Sequence, residues 1–192
     1  MTAAPDASVG LRAAERLVRL GTTEIRPGLS ETEVARVEQR FGFEFADDHR
    51  AFLTAGLPVW TTGHDDDPDK ASWGWPDWRT PDSEALRQQV DWPTDCIMRH
   101  ITGGGWHSGW GKRPYTLESA VAKARRRLAD VPRLIPVYAH RYLPAGRATA
   151  GQPVVSVHHL TDMMVYGLDL EDYVAREFQE PQMSVPFWRD YL

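Results

Sequence analysis

The sharpest patterning of apolar and turn-forming positions lies over residues 134–178. Leu134-Ile135-Pro136-Val137-Tyr138-Ala139 leads through His140-Arg141 into Tyr142-Leu143-Pro144. After a Gly/Ala/Thr-rich loop at 145–152 come Val154-Val155-Ser156-Val157-His158 and Met163-Met164-Val165-Tyr166. Short β-branched and aromatic runs bounded by turn residues predict strands. Residues 169–178 then change to helical spacing, with Leu170, Tyr173, Val174 and Phe178 on one face.

Upstream the period is helical. Residues 5–20 read as a peripheral amphipathic helix, capped by Asp6 or Ser8, with Leu11, Ala14 and Val18 on one face and Gly21 as its stop; 22–28 read as a linker. Residues 29–42 carry the clearest helix: Ser30 and Glu33 form an S-x-x-E capping box, Val34, Val37 and Phe41 share a face, and Gly42 ends it. Asp47 or Asp48 can cap a second helix burying Ala51, Phe52 and Leu53 and closing at Gly56 and Pro58. Thr80, Pro81, Asp82 and Glu84 open a short helix over 80–90. Alternation of Cys96, Met98 and His100 with Ile97, Arg99 and Ile101 predicts a strand over 95–101, turned back by Gly103, Gly104 and Gly105 into a return strand at 106–110. Leu117, Val121, Ala124 and Leu128 mark a helix over 116–129 expected to pack on the sheet, its outer face carrying Lys123, Arg125, Arg126 and Arg127. The fold class predicted is α+β: N-terminal helices, a mostly antiparallel sheet over about 95–166, and helices packed on it.

Composition narrows the function classes. The 192 residues suit one domain, with no apolar run long enough for a membrane span. Residues 1–6 show no basic-then-apolar leader pattern, and Cys96 is the only cysteine, so a reducing cytoplasm is the expected compartment. A net charge of −5 argues against a non-specific nucleic-acid binder, and the basic face of 116–129 reads as solvated unless more positive charge joins it from elsewhere. Residues 61–70 form an acidic loop with Asp65, Asp66, Asp67 and Asp69, which suits a basic partner. Seven of the eight tryptophans lie between positions 60 and 110, and Trp73, Trp75 and Trp78 beside the acidic loop read as aromatic anchors of a contact surface.

Catalytic patterns fit poorly. Gly111-Lys112 is followed by Arg113-Pro114, not by the hydroxyl residue a phosphate-binding loop needs. His158, His159 and Asp162 are close in sequence and His140 follows an apolar strand, but adjacent strand residues point to opposite faces and no zinc-ligand spacing is present. Cys96 reads as a small buried hydrophobe, and Ser108 lacks the Gly-x-Ser-x-Gly setting. No metal, cofactor or catalytic residue is therefore expected.

Leu29-Ser30, Glu38, Gly42-Phe43, Arg50-Ala51-Phe52-Leu53 and Gly56 resemble the opening of the SUKH superfamily, which contains the Smi/Knr-like fungal cell-wall regulators and many bacterial immunity proteins. Trp75-Pro76-Asp77-Trp78-Arg79, Val90-Asp91-Trp92-Pro93, Trp110-Gly111-Lys112-Arg113-Pro114, residues 134–144, and Tyr166-Gly167 with Asp169-Leu170 are similar to a bacterial branch of that group. The resemblance implies a SUKH-like domain over 28–178, preceded by a helix and linker at 1–27 and followed by a tail at 179–192. It also implies a non-catalytic protein-binding module: an immunity-type protein of a toxin–antitoxin pair that neutralises a basic toxin such as a nuclease. The residues expected to meet that partner are Asp65, Asp66, Asp67, Asp69, Trp73, Trp75, Trp78, and, on the exposed face of the sheet, His140, Arg141 and His158. Two other readings stay open: a scaffold or regulator in cell-envelope synthesis, and a metal-dependent or small-molecule enzyme using His140, His158 and Asp162.

Overall fold

The computed structural model describes residues 7–59, 73–158 and 163–178. The chain runs α1 (Ser8–Leu20), β1 (Glu24–Arg26), α2 (Glu31–Phe41), α3 (Asp47–Ala55), β2 (Leu57–Val59), α4 (Glu84–Thr102), a 3-10 turn (Ser108–Trp110), α5 (Leu117–Ala129), β3 (Leu134–Tyr138), β4 (Arg141–Pro144), β5 (Val154–Val157), β6 (Met163–Gly167) and α6 (Leu170–Glu177). It is an α+β fold. A four-stranded antiparallel sheet has the order β3-β4-β5-β6, and β1 pairs with β2 in a separate antiparallel ribbon. The strands at 134–167 and α6 follow the sequence pattern; the ribbon does not, because β1 lies in the stretch read as a linker.

Local chemistry sets the helix ends. The capping box of α2 forms, with Ser30 N donating to Glu33 Oε2 at 2.7 Å and Glu33 N donating to Ser30 Oγ at 3.3 Å. Gly42 closes that helix at φ 68°, a left-handed conformation costly for a side chain with a Cβ. Asp169 caps α6, accepting from Asp172 N at 2.8 Å. Helix α3 differs from expectation: its N-cap is Ala46, and neither Asp47 nor Asp48 caps it. Asp48 is instead fully buried in the first turn, taking the His49 and Gly151 backbone N–H groups at 2.8 Å each. That bond ties the 145–152 loop to the start of α3.

Helix α1 is not peripheral. Val9, Ala13, Ala14 and Leu17 enter the main core, while Leu11 and Val18, expected to face inward, are exposed. The register is set by Gly10: a Cβ there would sit 1.8 Å from the Asp48 carbonyl oxygen, so the bare glycine lets α1 close onto α3.

The largest departure is α4. The short helix at 80–90 and the strands at 95–101 and 106–110 are replaced by one helix of 19 residues, begun by Ser83 accepting from Leu86 N. Proline inside a helix removes one N–H and strands the carbonyl four residues earlier. Here that proline is Pro93 and the carbonyl belongs to Gln89, which accepts the Tyr142 hydroxyl at 3.1 Å. A side chain from β4 thus mends the helix that Pro93 would otherwise break. Leu86, Val90, Pro93, Cys96 and Ile101 are buried along it, a helical period that outweighs the brief alternation at 96–101. The three glycines end α4 rather than turning a hairpin of strands. Expected on the sheet, helix α5 packs chiefly on α4, through Ala120 and Ala124 against Ile101, with Ile97, Met98, Trp106, Trp110 and Val121 around them.

The sheet separates two sets of side chains, because alternate strand residues face opposite ways. Ile135, Leu143 and Val154 join the core formed with α1, α2, α3 and α6. Tyr142 faces the other way and is covered by α4, which also packs on β3. Among the described residues, no helix is long and apolar enough to cross a membrane.

Candidate functional site

Each residue singled out from the sequence has a definite place or lies outside the described residues. Asp65, Asp66, Asp67 and Asp69 lie outside them, as do His159, Asp162 and the tail at 179–192. Trp75 and Trp78 are core residues, not surface anchors. Trp78 is 1% exposed and meets Phe43, Phe45 and His49 edge-on. Trp75 is stacked on Phe52 and Phe178, and its indole N–H donates to Thr23 Oγ1 at 3.0 Å. These rings bury too much apolar area to be left in water once α2, α3 and α6 supply a cavity for them.

Arg141 is also interior. Its Nη1 donates to Ser156 Oγ at 2.9 Å, its Nε donates to Glu177 Oε2 at 3.2 Å, and its guanidinium lies 3.8 Å above the Tyr166 ring centre. The pairing follows from register, since Arg141 lies directly opposite Ser156 across β4 and β5. Arg141 therefore ties β4, β5, β6 and α6 together rather than presenting a charge to a partner.

The remaining three residues come together at one end of the sheet. Trp73 packs edge-on against Trp92 at 4.9 Å, and the Trp92 indole N–H donates to the Val157 carbonyl at 2.9 Å. Val157 N donates to the His140 carbonyl at 2.8 Å, and the rings of His140 and His158 meet edge-to-face at 5.1 Å. Arg99 lies over the Trp92 ring at 4.4 Å. In the sequence Trp92 stands out only within the motif Val90-Asp91-Trp92-Pro93 and not as a contact residue; the continuous course of α4 carries it to the sheet.

Strand β6 begins at this cluster, because Met163 pairs with Val157. Among the described residues it is an edge strand, bonded to β5 alone. Met163, Met164 and Val165 are consecutive and all exposed, at 41%, 56% and 55%, followed by Leu168 at 70%. Consecutive strand residues face opposite ways, so both faces of β6 present apolar side chains to solvent. The other edge, β3, contains Pro136 and is flanked by α4 and by the Gly74 carbonyl, which accepts from Ala139 N at 3.0 Å. Among the described residues, one edge of the sheet is thus protected by the usual devices and the other is not.

A groove of about 910 Å³ lies between the turn after α2, α4, α5 and the loop after β4. Its acids are largely engaged within the chain: Glu38 with Arg147 at 3.1 Å, Glu44 with Arg147 at 3.0 Å, and Asp91 with Arg133 at 3.0 Å. Among the described residues, no three His, Cys, Asp or Glu side chains are grouped to hold a metal ion. Cys96 is buried, in α4 rather than in a strand.

A second polar feature lies in the core. His49 is 1% exposed, its Nε2 is buried without a hydrogen-bond partner among the described residues, and burial pushes its pKa down to about 3. The Trp78 indole N–H beside it is likewise buried and unpartnered. Asp48, next in the chain, has its carboxyl pKa raised by burial, against the lowering effect of its backbone hydrogen bonds.

No protein-family model, curated protein or solved structure matches the chain.

Proposed function

We propose that this chain is a non-catalytic protein-binding module of the SUKH type, a cytoplasmic immunity protein that holds a bacterial toxin, such as a nuclease, inactive. The observation that supports this most is the β6 edge, unpaired among the described residues, running out of the Trp73–Trp92 and His140–His158 cluster. An open edge offers a row of backbone N–H and C=O groups to an incoming strand, and apolar side chains on both faces bury area when that strand arrives. Paired tryptophans at the end of the strand are the residue type that anchors interfaces. The acidic run Asp65, Asp66, Asp67 and Asp69 adds charge suited to a basic partner.

The test is capture of a polypeptide from the native host by the tagged full chain, repeated with Val165→Lys, Trp73→Ala, and charge reversal of Asp65, Asp66 and Asp67. A lysine at the centre of β6 is expected to abolish capture while leaving thermal stability unchanged. Undiminished capture by Val165→Lys and by Trp73→Ala would refute the β6 reading, and undiminished capture by the reversed acids would refute the acidic contact. A second reading, a metal-dependent or small-molecule enzyme using His140, His158 and Asp162, draws on the meeting of the two imidazoles. Stoichiometric metal after purification, lost in His140→Ala, would favour it.

A further inference from the structure

Residues 97–129 contain seven Lys and Arg side chains against the single acid Glu118, in a chain whose net charge is −5. Folding concentrates this charge. Lys123 on α5 donates from Nζ to the Lys112 carbonyl at 3.3 Å, and Arg113 donates from Nη2 to the Ile101 carbonyl at 3.4 Å, drawing the loop after α4 onto the two helices. Among the described residues, twelve other arginines make ion pairs with carboxylates, whereas Arg99, Lys112, Arg113, Lys123, Arg125, Arg126 and Arg127 make none. Lys123, Arg126 and Arg127 line a notch of about 340 Å³ together with Asp130.

Aromatic rings are interleaved with these cations. Trp106 and Trp110 meet edge-on at 5.4 Å, with His107 against Trp110 at 5.3 Å. The Trp106 indole N–H donates to the Gly111 carbonyl at 2.7 Å, and Lys123 Nζ lies 5.4 Å from the Trp106 ring centre. Tyr115 is 92% exposed, with Lys112 Nζ 5.1 Å from its ring centre.

We infer that the α4–α5 hairpin binds single-stranded nucleic acid, with Lys112, Lys123, Arg126 and Arg127 on phosphates and Tyr115 under a base. The inference is independent of the protein-binding reading, since it uses a different surface. Net negative charge does not forbid it: screening limits the reach of exposed acids to about 8 Å at physiological salt, and the hairpin is locally cationic. An aromatic face standing clear of the surface beside Lys112, on a loop that Lys123 ties to α5, matches a base-stacking platform, whereas a protein hot spot lies in a pocket ringed by contacts.

The test is fluorescence anisotropy of the full chain with labelled oligo-dT and oligo-U of about 15 nucleotides, titrated over a range of salt. Four neutralised phosphates give a slope of log K on log salt of about −2.8. Tyr115→Ala is expected to weaken binding about fivefold or more. Arg126→Glu with Arg127→Glu is expected to weaken it more than tenfold and to flatten the slope, while Arg19→Glu, on α1, leaves it unchanged. All these positions are exposed, and circular dichroism checks the fold of each variant. The inference is overturned by absence of binding at about 100 μM protein in about 50 mM salt. Equal affinity for a duplex of the same length would also overturn it. So would competition by polyglutamate as strong as by the oligonucleotide with Tyr115→Ala silent, which would make the hairpin a dock for an acidic protein.

Discussion

Protonation of His49 should unfold this protein from within. The imidazole sits on α3 among Phe45 and Trp78, 1% exposed, with burial alone holding its pKa at about 3. In the unfolded chain the same group titrates near 6.5. A depressed folded pKa means the unfolded state binds the proton more readily between those values. Stability is then complete above about pH 6.5 and is lost as pH falls toward 3. At pH 5 the unfolded histidine lies about 1.5 units below its midpoint, so the loss is about 2 kcal/mol. With a urea dependence of about 2 kcal/mol per molar, the midpoint drops by about 1 M between pH 7.5 and pH 5. Asp48 opposes this, because its raised carboxyl pKa makes the folded state take up a proton first as pH falls. The comparison that isolates His49 is His49→Leu, which keeps Asp48 and the other histidines and removes a buried, unpartnered nitrogen. Urea unfolding followed by tryptophan fluorescence at several pH values reads the difference. The variant should show a midpoint about 1 M less sensitive to pH over that range. Parallel pH profiles for the two proteins would refute the reasoning.

Two further outcomes separate core from contact. Trp78→Ala is expected to cost about 3–5 kcal/mol in urea unfolding, while Trp73→Ala, at a half-buried position, costs about 1 kcal/mol and acts chiefly on partner capture. Arg141→Met strands Glu177 and the Ser156 hydroxyl in a site where the paired side chains are 10% and 19% exposed; about 3 kcal/mol is lost and calorimetry should find the melting temperature lower by about 10 °C. An unchanged melting temperature would return Arg141 to the surface role first read for it.

The two candidate surfaces have different physical bases. The β6 edge lacks backbone partners among the described residues and carries apolar area on both sides. The hairpin is a surplus of charge that no ion pair among the described residues neutralises, although arginines on other elements are paired with carboxylates. A partner that adds a strand and one that neutralises phosphates would therefore not compete for the same groups.

What the sequence alone determined is local. The capping box at Ser30 and Glu33, the glycine stops at 21 and 42, the strands at 134–167 and the amphipathic face of α6 depend on residues within a few positions of one another, and all could be read directly. Tertiary structure decided the rest, for identifiable reasons. The helix runs through Pro93, past the end expected at 90, because Tyr142, 49 residues later, satisfies the carbonyl that the proline frees. The linker at 22–28 becomes a strand only because Leu57–Val59 lies alongside. Trp73, Trp75 and Trp78 are chemically alike in sequence, and only the cavity between helices separates two core rings from one at the surface. The apolar run of β6 is compatible with either a central or an edge strand, because pattern encodes which faces are apolar and not how many neighbours a strand has. Likewise the basic face of α5 needed more positive charge beside it, and the loop after α4 brings Lys112 and Arg113 there through contacts that no local pattern records.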